Sequence, residues 1–153
     1  ILEGLRLAQD RTPLVMWLLH RYVNEQSARG LLATHRYIMD LPNDHTQLFV
    51  PAGEILFAAG HKTEAEQIWQ RSLAVSPVTD EALNNLGVLE YERGHLSKAA
   101  ALFAKALASN PNNNSAMANQ KALVMSGAQT GQIGEELIRR STSHASSERG
   151  VLS

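Results

Sequence analysis

The chain has no cysteine, which excludes disulfides, thiolate metal sites and cysteine nucleophiles together. Either the cytoplasm or a bacterial periplasm suits that absence. Aromatic residues supply only 5% of the sequence, whereas the 44% apolar content comes largely from alanine and leucine. That balance favours helices over a β-sandwich. No unbroken apolar run is longer than "LVMWLL", far short of the roughly 20 residues that a spanning helix needs. Net charge is −1, so there is no general attraction to nucleic acid or to acidic membranes. Lysine and arginine are scattered, with no basic-aromatic stripe to hold a nucleic acid. Motifs of catalysis are missing too: no Walker-type glycine loop, no HExxH, no G-x-S-x-G and no spaced acidic calcium loop. The reading is therefore of a chain that is no enzyme and carries no cofactor.

What the sequence does contain is an internal repeat. A shift of 34 places brings Gly53 onto Gly87, Gly60 onto Gly94, His61 onto His95, Ala65 onto Ala99 and Pro77 onto Pro111. Conservative pairs fill the intervals, among them Phe57/Tyr91, Ile68/Leu102, Trp69/Phe103 and Arg71/Lys105. Each unit reads as two antiparallel helices. In the second, helix A is expected over 81–93 after an N-cap at Thr79 or Asp80, with Gly94 as its stop. Helix B is expected to be capped by Ser97 and to end before Pro111. In the first, Thr63 and Glu66 have capping-box spacing, and Pro51 predicts that helix A begins only near Val50 or is kinked there. Gly87 and Ala99 are placed where the two helices cross. Tyr91, Leu102 and Phe103 are expected to fill the surrounding space, and a leucine at Gly87 to overpack it.

Residues 80–113 resemble a tetratricopeptide repeat at Leu83, Leu86, Gly87, Tyr91, Ala99, Phe103, Ala106 and Pro111. Residues 46–79 resemble one at Phe49, Ala52, Gly53, Phe57, Ala65, Trp69 and Pro77. The resemblance implies an all-α fold, a right-handed superhelical solenoid of antiparallel helix pairs. Around these two repeats, residues 12–45 are expected to form a degenerate helix pair, with Gly30 and Leu31 in place of the alanine signal. Residues 1–11 are expected to be a linker or the end of an upstream helix. Residues 114–141 are expected to be a capping helix or partial repeat, including a short closing helix "GQIGEELIRR" with a solubilising polar face. Residues 142–153 lack periodicity and are expected to be a disordered tail.

Three sequence features invite a chemical reading and receive a structural one. His61 and His95 occupy the same inter-helix turn one period apart, but no converging ligand set accompanies them, so no metal is expected. His20-Arg21-Tyr22 and His35-Arg36-Tyr37 fall on different helices and are taken as coincidence. Asn113-Asn114-Ser115 fits the N-glycosylation pattern, yet an asparagine-rich start to the next helix accounts for it.

The functional expectation rests on a surface. The resemblance implies that the A helices line a concave groove, and its positions here are Gln47, Val50, Glu54 and Phe57, then Glu81, Asn84, Val88 and Tyr91, then Ser115, Ala118, Ala122 and Met125. Phe57 and Tyr91 are also candidates for the core. Asn84 and Val88 are expected to be surface positions whose substitution alters binding more than folding. A chaperone-type clamp for a C-terminal carboxylate would place Val50, Glu54, Asn85, Ser115 and Asn119 at its contacts; only Asn85 fits, and Glu54 opposes it. The expected role is a scaffold that binds a peptide segment or partner subunit, without nucleic acid or membrane insertion. Similar bacterial repeat proteins serve in multi-protein envelope assemblies. Two alternatives stand beside it: the repeat segment of a larger enzyme such as a glycosyltransferase, and a repeat protein that assembles with its own copies.

Overall fold

The structure is a computed structural model that describes residues 10–127. Within them lie seven helices: α1 (Thr12–Asn24), α2 (Ala28–Met39), α3 (Thr46–Ala58), α4 (Lys62–Val75), α5 (Asp80–Glu92), α6 (Leu96–Ser109) and α7 (residues 114–127). No strand occurs among the described residues. Helix starts fall at Thr12, Thr46, Asp80 and residue 114, and at Ala28, Lys62 and Leu96, each one 34-residue period after the last. First helices pack on first helices (α1 on α3, α3 on α5), and α2 packs on α4, so the pairs stack into a two-layered, all-α solenoid. The closing segment 131–140, the tail 142–153 and residues 1–9 lie outside the described residues.

Close approach within each pair is what the small residues permit. A Cβ on Gly53 would stand 2.3 Å from Nε1 of Trp69, and one on Gly87 would stand 2.5 Å from Phe103. Both rings are buried, at 2% and 1% exposure. Tyr91, expected in the same crossing, is instead 41% exposed. One turn on from Gly87, it lies at the mouth of a cavity that Phe103 also lines, and the Phe103 ring occupies the space that Gly87 leaves.

The first pair makes the same contact with the roles exchanged. Leu19 and His35 stand one period before Gly53 and Trp69, so the glycine–aromatic pairing is absent there. Gly30 on α2 supplies the gap instead, where a Cβ would meet Tyr22 of α1 at 2.3 Å. His35 is 9% exposed, and its Nε2 is buried without a hydrogen-bond partner. Burial pushes the His35 pKa down, although Glu64 and Gln67 work against the shift.

Three sequence expectations about helix ends need correction. α4 starts at Lys62 and α6 at Leu96, with N-caps His61 and His95 that make no side-chain cap bond. Thr63 and Ser97 therefore lie inside their first turns. Glu66 forms no capping box, because its carboxylate binds Arg93 of the next pair. α3 begins at Thr46 and runs through Pro51. Proline there removes one donor, and the helix continues because Phe49, Ala52 and Gly53 are held in the core on either side of it.

Turns follow the glycine rule with one exception. Gly60 and Gly94 end α3 and α5 with φ of +90° and +80°, a region that glycine enters without a Cβ clash. At the matching place after α1 stands Gln26, held at φ +51°. Between pairs, Arg71 of α4 closes the carboxyl end of α2: its guanidinium donates to the Ile38 and Leu41 carbonyls and lies 4.8 Å over the Phe49 ring. Asp80 accepts from Asn110 (2.9 Å) and Asn113 (2.7 Å). Burial works to raise its pKa, but those amide donors prevail and hold it low. Asn113 also accepts from the Ala116 N–H at 2.9 Å, which makes it the cap of α7 and gives the asparagine run its structural reason.

Candidate functional site

The first helices bring α3, α5 and α7 side by side, and a chain of side-chain amides runs across them. Asn119 Nδ2 donates to Asn84 Oδ1 at 2.9 Å, Asn84 Nδ2 to Asn85 Oδ1 at 3.4 Å, and Asn85 Nδ2 to Glu54 Oε1 at 3.1 Å. Every donor points the same way, toward the Glu54 carboxylate, so each bond polarises the next. Asn84 is only 6% exposed, enclosed where α7 meets α5. It is thus no free surface position: changing it removes a hydrogen bond between helices, and the expectation that Asn84 substitutions spare stability is wrong for that reason. Asn85 and Asn119 are half-buried and Glu54 is exposed. The outer edges of the ladder are open.

Beside Asn119 lies a cavity of about 320 Å³ lined by Val88, Tyr91, Glu92, Phe103, Asn119 and Ala122. Val88 is half-buried in its wall, while Tyr91 and Ala122 are exposed at its mouth. Glu92 is matched by Lys62 at 2.5 Å, and that lysine also lies 5.4 Å over the Phe57 ring. Phe57 itself tilts against Trp69 with ring centroids 5.7 Å apart, so it serves packing as well as surface. Val50 is half-buried, and its carbonyl accepts from the Trp69 indole N–H at 3.2 Å. Glu81, Ser115, Ala118 and Met125 are exposed on the same helices. Gln47 stands apart, in a polar depression of about 210 Å³ with Asp10, Thr12, Asp44 and His45.

The structure thus gathers Glu54, Asn84, Val88, Tyr91 and Ala122 into one locale and adds Asn85 and Asn119, which the sequence had presented only as clamp positions. Their common signal was asparagine recurring at the same place in successive A helices. His61 and His95 are turn residues: His95 Nδ1 lies 2.6 Å from Glu90 and His61 Nδ1 3.8 Å from Glu64. No group of three or more potential metal ligands converges among the described residues. On the far edge, Arg93 grips Glu66 through both carboxylate oxygens and Glu90 at 3.0 Å. The Arg93 guanidinium holds the Glu66 pKa below the usual carboxylate range, and His95, with help from Arg93, does the same for Glu90.

A tetratricopeptide repeat family model matches residues 51–114, from within α3 to the first residue of α7. These are tetratricopeptide repeats. No curated protein matches the chain. Among solved structures, the fold is similar to the first tetratricopeptide repeat domain of Spaghetti (RPAP3) bound to the HSP90 peptide SRMEEVD. That similarity has a TM-score of 0.62 at 15% identity and covers 77% of this chain and 94% of that one. At such identity the likeness concerns the repeat fold alone.

Proposed function

We propose that this chain is a non-catalytic binding module that takes an extended peptide segment of a partner protein along its concave face. The observation that carries this reading is the ladder Glu54–Asn85–Asn84–Asn119. An extended main chain offers N–H donors and carbonyl acceptors at short intervals, and half-buried amides answer both without choosing a side chain. Internal bonding already fixes the ladder's rotamers, so little conformational entropy is lost when a peptide arrives. The cavity at its end then supplies one apolar anchor point, the kind of enclosed pocket where binding energy concentrates. Support also comes from the repeat family, whose members serve as protein-interaction modules, and from the solved repeat domain that holds a peptide.

Site-specific photo-crosslinking tests the reading. A photoreactive residue placed at Ala122, at the cavity mouth, is expected to give partner adducts in an extract of the source cell. The same residue at Ala104, exposed on α6, is expected to give none. Adducts from Ala104 alone would move the binding face to the second helices and refute the proposal.

A further inference from the structure

The charge and spacing of the concave face say more about what it accepts, and this step rests on the groove reading above. Glu54 and Glu81 both stand on it, and neither has a cationic partner among the described residues. Glu92 is already neutralised by Lys62. No lysine or arginine occupies any of the twelve groove positions. One oxygen of Glu54 accepts from Asn85, which orients the carboxylate and leaves the other oxygen for a ligand. A carboxylate fixed in this way favours a planar or point cation and opposes an anion. An acidic peptide such as the one held by the solved repeat domain has the wrong sign for this surface.

The cavity adds the second element. At about 320 Å³ it stands at the small end of ligand sites, suited to one leucine- or phenylalanine-sized side chain. Val88, Tyr91, Phe103 and Ala122 present apolar walls to it, and Asn119, whose amide nitrogen donates to Asn84, lines its edge. Geometry fixes the separation. Packed helices lie about 8–10 Å apart, and the cavity sits between α5 and α7 while Glu54 is on α3. The distance is therefore roughly 13 Å, which an extended chain rising about 3.3 Å per residue covers in about four residues.

We propose that the groove recognises a cationic–apolar segment: an arginine or lysine against Glu54 and, about four residues along, one large apolar side chain in the Val88–Tyr91–Ala122 cavity. The ladder between them binds main chain.

The test uses the full 153-residue chain as bait for a displayed library of random ten-residue peptides at low salt. Enriched peptides are expected to carry a basic residue and a large apolar residue about four apart, and to bind more weakly as salt rises. Enrichment of acidic peptides would overturn the proposal. Two variants then localise the binding of a selected peptide. Glu54→Gln keeps the oxygen that Asn85 needs and is expected to weaken binding about fivefold and flatten its salt dependence. Ala122→Leu fills the cavity from an exposed position and is expected to weaken binding about tenfold or more. Both should keep the parent's urea midpoint. Acidic binders that Ala122→Leu still abolishes would refute the cationic preference and leave the groove reading standing. Binders indifferent to both variants, or a library without binders, would refute the groove reading as well. Sedimentation of the full chain covers the remaining occupant: self-association lost in Glu54→Gln would make a second copy the ligand and overturn the proposal.

Discussion

Truncating Asn84 to alanine removes the central rung of the amide ladder and tests whether that ladder holds α7 to α5. The side chain is 6% exposed, accepts from Asn119 at 2.9 Å and donates to Asn85 at 3.4 Å. The first bond is of ordinary length and contributes about 1 kcal/mol net; the second is long and contributes less. A small void where the amide stood adds a further fraction. The expected loss is about 1.5–2 kcal/mol, or roughly 3–8 °C in a chain of this size. Urea denaturation followed by circular dichroism measures it. Asn119→Ala completes a double-mutant cycle, with an expected coupling of about 1 kcal/mol because each side chain is the other's partner across the helices. Asn84→Arg is expected to be worse, at about 3 kcal/mol or more, since it buries a charge without a partner. A loss under about 0.5 kcal/mol in Asn84→Ala together with zero coupling would show that the ladder does not join the helices.

Three further outcomes follow from the close contacts and the turns. Gln26→Gly, at φ +51°, is expected to stabilise the chain by about 0.5–1 kcal/mol, the left-handed penalty less glycine's extra unfolded-state entropy; destabilisation in urea would refute this. Gly53→Ala and Gly87→Ala are each expected to lose about 1–3 kcal/mol by driving a methyl into the Trp69 or Phe103 ring. Near-neutral denaturation midpoints would show that those rings move aside freely. For His35, the folded-state pKa lies below the unfolded value of about 6.5, so the unfolded chain takes up the proton first. Stability is then full above pH ~6.5 and declines as pH falls below it. His35→Leu is expected to remove that slope in urea midpoints measured between pH 7 and 5, and an unchanged slope would assign the titration elsewhere.

The fold was legible because its close contacts are written as size differences at a fixed interval: Gly53 against Trp69 and Gly87 against Phe103. The first helix pair was harder to read because it satisfies the same steric need with Gly30 and Tyr22 on exchanged helices, leaving Leu19 and His35 at the signal positions. Helix starts were misread at Thr63 and Ser97 because packing, rather than a side-chain cap, decides where α4 and α6 begin. At the candidate site, helical periodicity brought Val88, Tyr91 and Ala122 to one face. It could not distinguish buried Asn84 from half-buried Asn85, because only the arrival of α7, about one period further along, encloses the Asn84 side chain. Nor could it pair Asn85 with Glu54, since hydrogen bonds between successive A helices depend on how closely those helices stack.

The central claim is that the concave face at α5 and α7 binds a peptide. Backbone amide shifts of the isotope-labelled chain, titrated with a peptide selected from the random library, test it most directly. The account predicts that the largest changes fall at Asn85, Val88, Tyr91, Asn119 and Ala122, with Glu54 also shifting. Changes concentrated instead at Lys98 and Lys105 on α6, with the ladder residues unmoved, would contradict it.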